Sequence, residues 1–220
     1  MNHMTENTQK CMLSIGGKNL IQHKIDILPP PVTEVILVVG YLKENIINFF
    51  GDSYGGRKIT YIVQDQLRGT GDSLWKAKDI LKERFIVMMG DDIYSPRDIE
   101  ECLKYNWSIL VRRVDFLERG GKVILDKDNH LKDIVEGEQH DTADALVNTG
   151  FYVLDKEIFK YELVKLDNKE EWGLPQTLLK AARDFPIKVV ESSFWIQITS
   201  PLDLDKAAGE LLKNGATLVK

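Results

Sequence analysis

Residues 85–96, FIVMMGDDIYSP, place two adjacent carboxylates, Asp91 and Asp92, directly after five apolar residues and a glycine. Two carboxylates about 4 Å apart repel by roughly 4 kcal/mol at an effective dielectric of 20, so such a pair in a crevice calls for a cation, hydrogen-bond donors or water. In open α/β sheets ligands bind beyond the carboxyl ends of the strands, which is where this pair falls. The bland alternative is a turn. Asp is a common turn residue, and Ser95, Pro96 and Asp98 fit the start of the next helix. That cap accounts for Ser95 through Asp98 and leaves Asp91 and Asp92 unexplained.

Two further stretches carry chemistry-bearing patterns. In IVQDQLRGTGDSL, residues 62–74, a strand leads through a glycine-rich loop into a helix. Gly69 and Gly71 would let backbone amides approach a ligand, and the helix start behind them favours an anion or a hydrogen-bonding ring; a plain strand-to-helix turn gives the same letters. In LVNTGFYVLD, residues 146–155, Asn148 and Gly150 interrupt a strong strand, as a ligand or an edge bulge would require. Arg112 and Arg113 could approach phosphates, but neighbours on a strand face opposite ways, so at least one is expected in solvent. His3, His23, His130 and His140 form no ligand constellation and are expected to be solvent-exposed.

The elements that must position these residues follow from periodicity. From Glu34, short β-branched runs (EVILVVGY, KITYIVQ, RFIVMM) alternate with helical patterns, the rhythm of a doubly wound parallel sheet. VILVV and FIVMM do not alternate in polarity, as expected of strands buried on both faces. After Asn106 the pattern turns mixed or antiparallel, and DKDN sits where a hairpin turn belongs. The closing helix opens on Ser200, Pro201 and Asp203, which fit N-cap, N1 and N3. The fold class is α/β, a Rossmann-like doubly wound mixed sheet, predominantly parallel, and the 220 residues are expected to form one domain, 1–220.

Composition limits the partners. With 29 Lys and Arg scattered among 34 Asp and Glu, and a net charge of -5, the composition argues against a nucleic-acid surface, and no nucleic-acid partner is expected. Cys11 and Cys102 are far apart and lack a zinc spacing, so both read as reduced thiols. No apolar run approaches the ~20 residues needed to cross a bilayer, and the first ten residues lack the apolar core of a signal peptide. No membrane partner is expected, and the expected compartment is the cytoplasm.

Taken in order, these segments resemble the sugar-1-phosphate nucleotidylyltransferases, the glucose-1-phosphate thymidylyl- and uridylyltransferases in particular. TENTQKCMLSIGGKNLIQHKIDIL resembles the stretch carrying the family's Pro-Lys phosphate-binding motif, which puts the lysine at Lys10 and Gln9 in the proline position. YIVQDQLRGTGDSLWKAKDIL resembles the base-recognition segment, with Gln64, Gly69 and Gly71 as contacts. MMGDDIY resembles the metal-binding strand end, with Asp91 on the cation and Asp92 near the sugar phosphate. VNTGFYVLDKEIF resembles the sugar-binding strand, with Asn148 and Gly150, while Gly121, Glu136 and Glu171 fall at further substrate positions. The resemblance implies a nucleotide-diphospho-sugar transferase fold, Mg2+, a nucleoside triphosphate and a hexose 1-phosphate as substrates, and a homo-oligomer. The reaction would be in-line attack on the α-phosphorus with loss of pyrophosphate.

Departures from the family pattern set further expectations. The family's first strand and its glycine-rich, arginine-bearing loop have no counterpart in these residues, so either a piece is missing or another chain supplies the edge. Gly137 and Glu138 follow Glu136 where the family has Lys-Pro, and Gln197 stands at the second metal aspartate, a weaker ligand. Two other readings stay open: a degenerate homologue that binds or regulates without turnover, and a metal-dependent glycosyltransferase.

Overall fold

The computed structural model describes residues 8–115, 117, 120–136, 143–167 and 169–214. Gly137, Glu138, His3 and His140 lie outside these residues. Two compact units result: Met1–Asp65 with Met89–Ile99 and Phe194–Lys220, and Gln66–Met88 with Glu100–Ser193.

In the first unit, β1 (Ser14–Ile15) and β2 (Lys18–Asn19) form a hairpin around Gly16 and Gly17, both with positive φ. Helix α1 (Leu20–Asp26) starts on a capping box: the Asn19 side chain accepts from the Gln22 amide at 2.9 Å and Gln22 returns the bond to the Asn19 amide at 3.0 Å. β3 (Glu34–Val39) runs parallel to β5 (Arg57–Val63), with α2 (Lys43–Phe50) between them in sequence and β4 (Ser53–Tyr54) antiparallel on β5. β7 (Asp92–Tyr94) pairs antiparallel with β15 (Trp195–Gln197), and α4 (Pro96–Cys102) and α6 (Pro201–Asn214) follow these two strands. Helix α1 serves two apolar clusters. Leu20 packs with Ile15, Ile93, Ile196, Ile198 and Ala207, and Ile21 and Ile25 pack with Val39, Ile46, Phe50 and Ile59. Burying each of these large aliphatic side chains contributes about 1.5–3 kcal/mol, so α1 is held firmly on both sides.

The second unit is built on β11 (Ala145–Asp155), which pairs antiparallel with β6 (Arg84–Met88) and with β8 (Ser108–Val114). β9 (Lys122–Leu125) and β10 (Leu131–Val135) form the expected hairpin, with Asn129 in the left-handed region at φ 60. β14 (Lys188–Glu191) runs parallel to β8. The small antiparallel pair β12 (Val164–Lys165) and β13 (Trp172–Gly173) follows helix α3 (Gly69–Lys76) in the chain and leads directly into α5 (Leu174–Ala181). The sheets mix parallel and antiparallel pairs, a Rossmann-like α/β arrangement.

Two expectations are corrected. β3 and β6 are not buried on both faces: Val38 is exposed, and Val35 to Leu37 and Phe85 to Met88 are half-buried. The reason is pairing. Among the described residues β3 pairs only with β5 and β6 only with β11, so each keeps one open edge. His23 and His130 are half-buried rather than exposed, and His23 Nε2 lies 2.8 Å from the Ile15 carbonyl.

The cap of α6 matches its letters. One carboxylate oxygen of Asp203 accepts from the amides of Thr199 (2.8 Å) and Ser200 (2.7 Å) and from both hydroxyls. Burial opposes ionisation of Asp203, but these four donors outweigh it and hold the carboxyl below its usual range. A folded-state value below the unfolded one stabilises above the ordinary carboxylate range, and that contribution is lost as pH falls through the lowered value. Asp203→Ala is therefore expected to cost about 1 kcal/mol in urea denaturation at pH 7. The difference from wild type should shrink below about pH 4; a cost independent of pH would reject the charged cap.

Candidate active site

The first unit gathers Lys10, Asp91, Asp92 and Gln197. Lys10 begins a 3-10 turn, Lys10–Met12, held by the neighbouring Gln9, whose amide nitrogen donates to the carbonyls of Tyr41 (2.6 Å) and Leu42. A glutamine in the proline position thus ties the lysine's loop to the start of α2. The Lys10 ammonium donates to Asp91 at 2.7 Å, and both side chains keep 30% of their surface exposed. The pair is reachable from solvent, as groups that meet a charged substrate must be.

Asp92 differs from its neighbour. It is 1% exposed; one carboxylate oxygen accepts from the Tyr94 hydroxyl at 3.1 Å, and the other, Oδ1, is buried without a partner. Burial, and then the Asp91 charge, push its carboxyl up to about 7, against the opposing pull of Lys24, the Tyr94 hydroxyl and Lys10. Gln197 is the cross-strand partner of Asp92, and the Ile198 amide donates to the Asp91 carbonyl at 2.9 Å. The closing strand therefore lies along the acidic turn and carries an exposed carboxamide beside it. The turn reading also holds for part of this stretch: the Asp98 amide donates to Ser95 O at 3.2 Å, and the Asp98 carboxylate accepts from the Phe194 amide at 3.2 Å.

Gln64 closes β5, 8% exposed, its amide bonded to Val39 O at 2.8 Å. A Cβ on Gly40 would stand 2.8 Å from the Gln64 carbonyl, so that glycine allows the two strand ends to meet.

The second unit brings the remaining predicted residues together in two places. Gly69 (φ +83) and Gly71 pack against the 171–173 backbone: a Cβ on Gly69 would lie 2.5 Å from Trp172 O and 3.2 Å from Glu171 Cβ, and one on Gly71 would lie 3.0 Å from Trp172 O. The glycines of GTG are thus required by protein backbone at the side where a Cβ would project. Elsewhere, a Cβ on Gly121 would lie 2.8 Å from the Glu136 carboxylate, and the Asn148 amide donates to Gly121 O at 2.9 Å. Strand β11 bulges between Asn148 and Phe151, with Gly150 at φ 73 and its amide bonded to the Asn148 side chain at 3.0 Å. The Asn148 amide nitrogen donates to the Tyr152 hydroxyl at 2.7 Å.

Arg112 and Arg113 are occupied by structure. Arg112 donates to the carbonyls of Ser192 and Ser193, and Arg113 pairs with Glu191 and Asp144.

Sequence reasoning missed Lys24. It is 7% exposed on α1, and its ammonium donates to Leu20 O at 3.3 Å and to Gly90 O at 3.0 Å, next to the acidic pair. Its signal was present: Lys24 falls on the apolar face defined by Leu20, Ile21 and Ile25, where a charge needs a reason.

Among the described residues no group of three or more His, Cys, Asp or Glu is placed to hold a metal. Magnesium takes one or two carboxylates and completes its shell with phosphate oxygens and water, so a half-buried, solvent-reachable Asp91 beside an unpartnered Asp92 oxygen fits that ion. Among the described residues no helix is long and apolar enough to cross a membrane. Among the described residues Cys11 and Cys102 form no disulfide.

Comparison with known proteins bears on the family and the fold. The chain is 32% identical over 219 residues to the bifunctional protein GlmU of Methanocaldococcus jannaschii, covering 99% of this chain and 52% of that relative. It therefore spans about half the length of that protein. It is 30% identical over 222 residues to the UTP–glucose-1-phosphate uridylyltransferase AglF of Haloferax volcanii, covering 94% of this chain and 90% of AglF. In fold it is similar to a UDP-glucose pyrophosphorylase complexed with UDP-glucose, with a TM-score of 0.81 at 19% identity over 96% of this chain and 93% of the other. Residues 2–185 match the family model described as nucleotidyl transferase, and with the extent of these matches the chain belongs to that family, in keeping with its resemblance to the sugar-1-phosphate nucleotidylyltransferases.

Proposed function

We propose that this chain forms a nucleotide sugar and pyrophosphate from a nucleoside triphosphate and a sugar 1-phosphate. The observation that carries the reading is the half-buried, solvent-reachable Lys10–Asp91 pair, at 2.7 Å, with Asp92 and its cross-strand partner Gln197 beside it. A phosphate oxygen of the sugar 1-phosphate attacks the α-phosphorus; the new P–O bond forms as the α–β bridging P–O bond breaks, and pyrophosphate leaves with that electron pair. Lys10, released from Asp91, holds its positive charge against the negative charge that builds on the transferring group. Asp91, with Asp92 and the Gln197 carbonyl, would hold magnesium, which when bound neutralises charge on the triphosphate. The resemblance of the sequence supports base recognition through Gln64 in the first unit and, within the second unit, base recognition through the backbone of Gly69 and Gly71 and sugar recognition through Gly121, Glu136, Asn148, Gly150 and Glu171. The name of AglF, a UTP–glucose-1-phosphate uridylyltransferase, supports a pyrimidine triphosphate and glucose 1-phosphate.

The test is pyrophosphate release, read by a coupled phosphatase assay, with UTP or dTTP, glucose 1-phosphate and MgCl2. Release that requires all three is expected. No release with any pairing of pyrimidine triphosphate and hexose 1-phosphate, in a chain that a nucleotide nevertheless stabilises against heat, would reject catalysis. A ligand at 100 times its dissociation constant stabilises by ~2.7 kcal/mol, well within reach of a thermal-shift measurement.

A further inference from the structure

A lysine that is 7% exposed, on the apolar face of a seven-residue helix, costs several kcal/mol unless something compensates its charge. Two of the compensations are carbonyls, Leu20 O within α1 and Gly90 O in the acidic turn. No hydrogen bond links Lys24 directly to either aspartate in the structure, so its tie to Asp91 and Asp92 is through the backbone they share and through the field. Burial pushes the Lys24 ammonium down to about 8, while the charges of Asp92 and then Asp91 pull it back up. The same field acts in reverse on Asp92. Helix α1 is itself fixed on two sides, by Leu20 in one cluster and by Ile21 and Ile25 in the other. The ammonium cannot swing away without withdrawing its stem from packed surface.

We propose that Lys24 is a positioning residue of the nucleotidyl-transfer site: a fixed internal cation that pins the Gly90 carbonyl and offsets the carboxylates of Asp91 and Asp92 when no divalent ion is bound. The proposal rests on the reading of Asp91 as the cation-holding residue. Its consequence is a competition. With one positive charge already beneath the turn, a divalent ion gains less on arrival, and the bare site binds weakly until a triphosphate brings its own charge. The chain also carries Gln197 along the acidic turn, a ligand without charge, which acts in the same direction.

Mn2+ binding to the nucleotide-free protein tests this, followed by electron paramagnetic resonance and by the Mn2+-induced rise in melting temperature. Lys24→Met keeps the unbranched stem and removes the charge. The expected result is tighter Mn2+ binding than wild type, on the order of tenfold, and a larger Mn2+-induced rise in melting temperature. Lys24→Met with unchanged Mn2+ affinity overturns the proposal and leaves the metal reading standing. Absence of Mn2+ binding in both proteins overturns the metal reading and, with it, the proposal. A second arm needs no metal. In EDTA, the melting-temperature loss caused by Lys24→Met should be smaller in an Asp92→Asn background than in wild type, because one of the charges left uncovered is gone. An equal loss in both backgrounds would make Lys24 a packing residue only. If Lys24→Met alone fails to fold, the double variant decides: recovery of a folded protein supports the charge pairing, and failure beside a folded Asp92→Asn overturns it.

Discussion

Asp91→Asn is expected to lower the rate of pyrophosphate release by at least about 100-fold, while the metal-free protein melts close to wild type. The two halves of this prediction come from one geometric fact. Asp91 keeps 30% of its side-chain surface in solvent, and its visible partner, Lys10, is equally exposed. A pair of that kind contributes about 0–1 kcal/mol to stability, because water screens it and two long side chains must be held still. The asparagine side-chain carbonyl can accept the Lys10 hydrogen bond as the carboxylate does, so even that small contribution is partly kept. What asparagine lacks is the charge that holds a divalent cation and, through it, the triphosphate. A variant that is inactive and also unfolds several degrees earlier would point to a structural role for Asp91. A variant with full activity would remove Asp91 from the site and with it the proposed reading.

How much of this was legible in the letters depends on range. Local signals translated directly: the DKDN hairpin, the Ser200–Asp203 cap and the bulge announced by Asn148 and Gly150 all depend on residues within a few positions of one another. The acidic turn was legible because a strand end is where α/β sheets bind ligands, and the ordered motifs identified the family. Long-range pairing was not. RFIVMM reads like another parallel strand, yet β6 pairs antiparallel with β11 more than fifty residues downstream, and nothing local encodes that choice. The apolar run of β3 implied a covered strand, whereas its exposure is set by which neighbours it has. GTG was read either as making room for a ligand or as a plain strand-to-helix turn. On the side where a Cβ would project, the glycines make room for the Trp172 backbone, a contact between positions about a hundred residues apart that the letters do not announce. Lys24 lay between these cases: its place on the apolar face was visible, but the carbonyl it reaches belongs to a turn 66 positions away.

The same backbone contact sets the size of the second effect. Gly69→Ala is expected to destabilise the protein by roughly 3 kcal/mol or more. Two costs add. At φ +83 an L side chain is strained by about 1 kcal/mol or more. The new methyl would also stand 2.5 Å from the Trp172 carbonyl oxygen and 2.9 Å from its nitrogen, both backbone atoms. That segment cannot yield cheaply, because the Trp172 amide donates to Arg68 O at 2.8 Å and the Leu174 amide donates to the Thr70 hydroxyl at 3.1 Å. Relief requires pulling 171–174 away from α3, which displaces Glu171 and breaks both bonds. Amide exchange should therefore speed up in residues 68–74 and 171–174 before the rest of the second unit. Gly209→Ala is the matched control. It lies inside α6, with nothing within 4 Å of the added methyl and no positive φ, so it is expected to stabilise by about 0.5–1 kcal/mol through helix propensity. Urea denaturation of the two variants side by side reads opposite signs if the Trp172 backbone is the obstacle. A neutral Gly69→Ala would mean that 171–174 moves freely, and that the loop does not need glycine at this position.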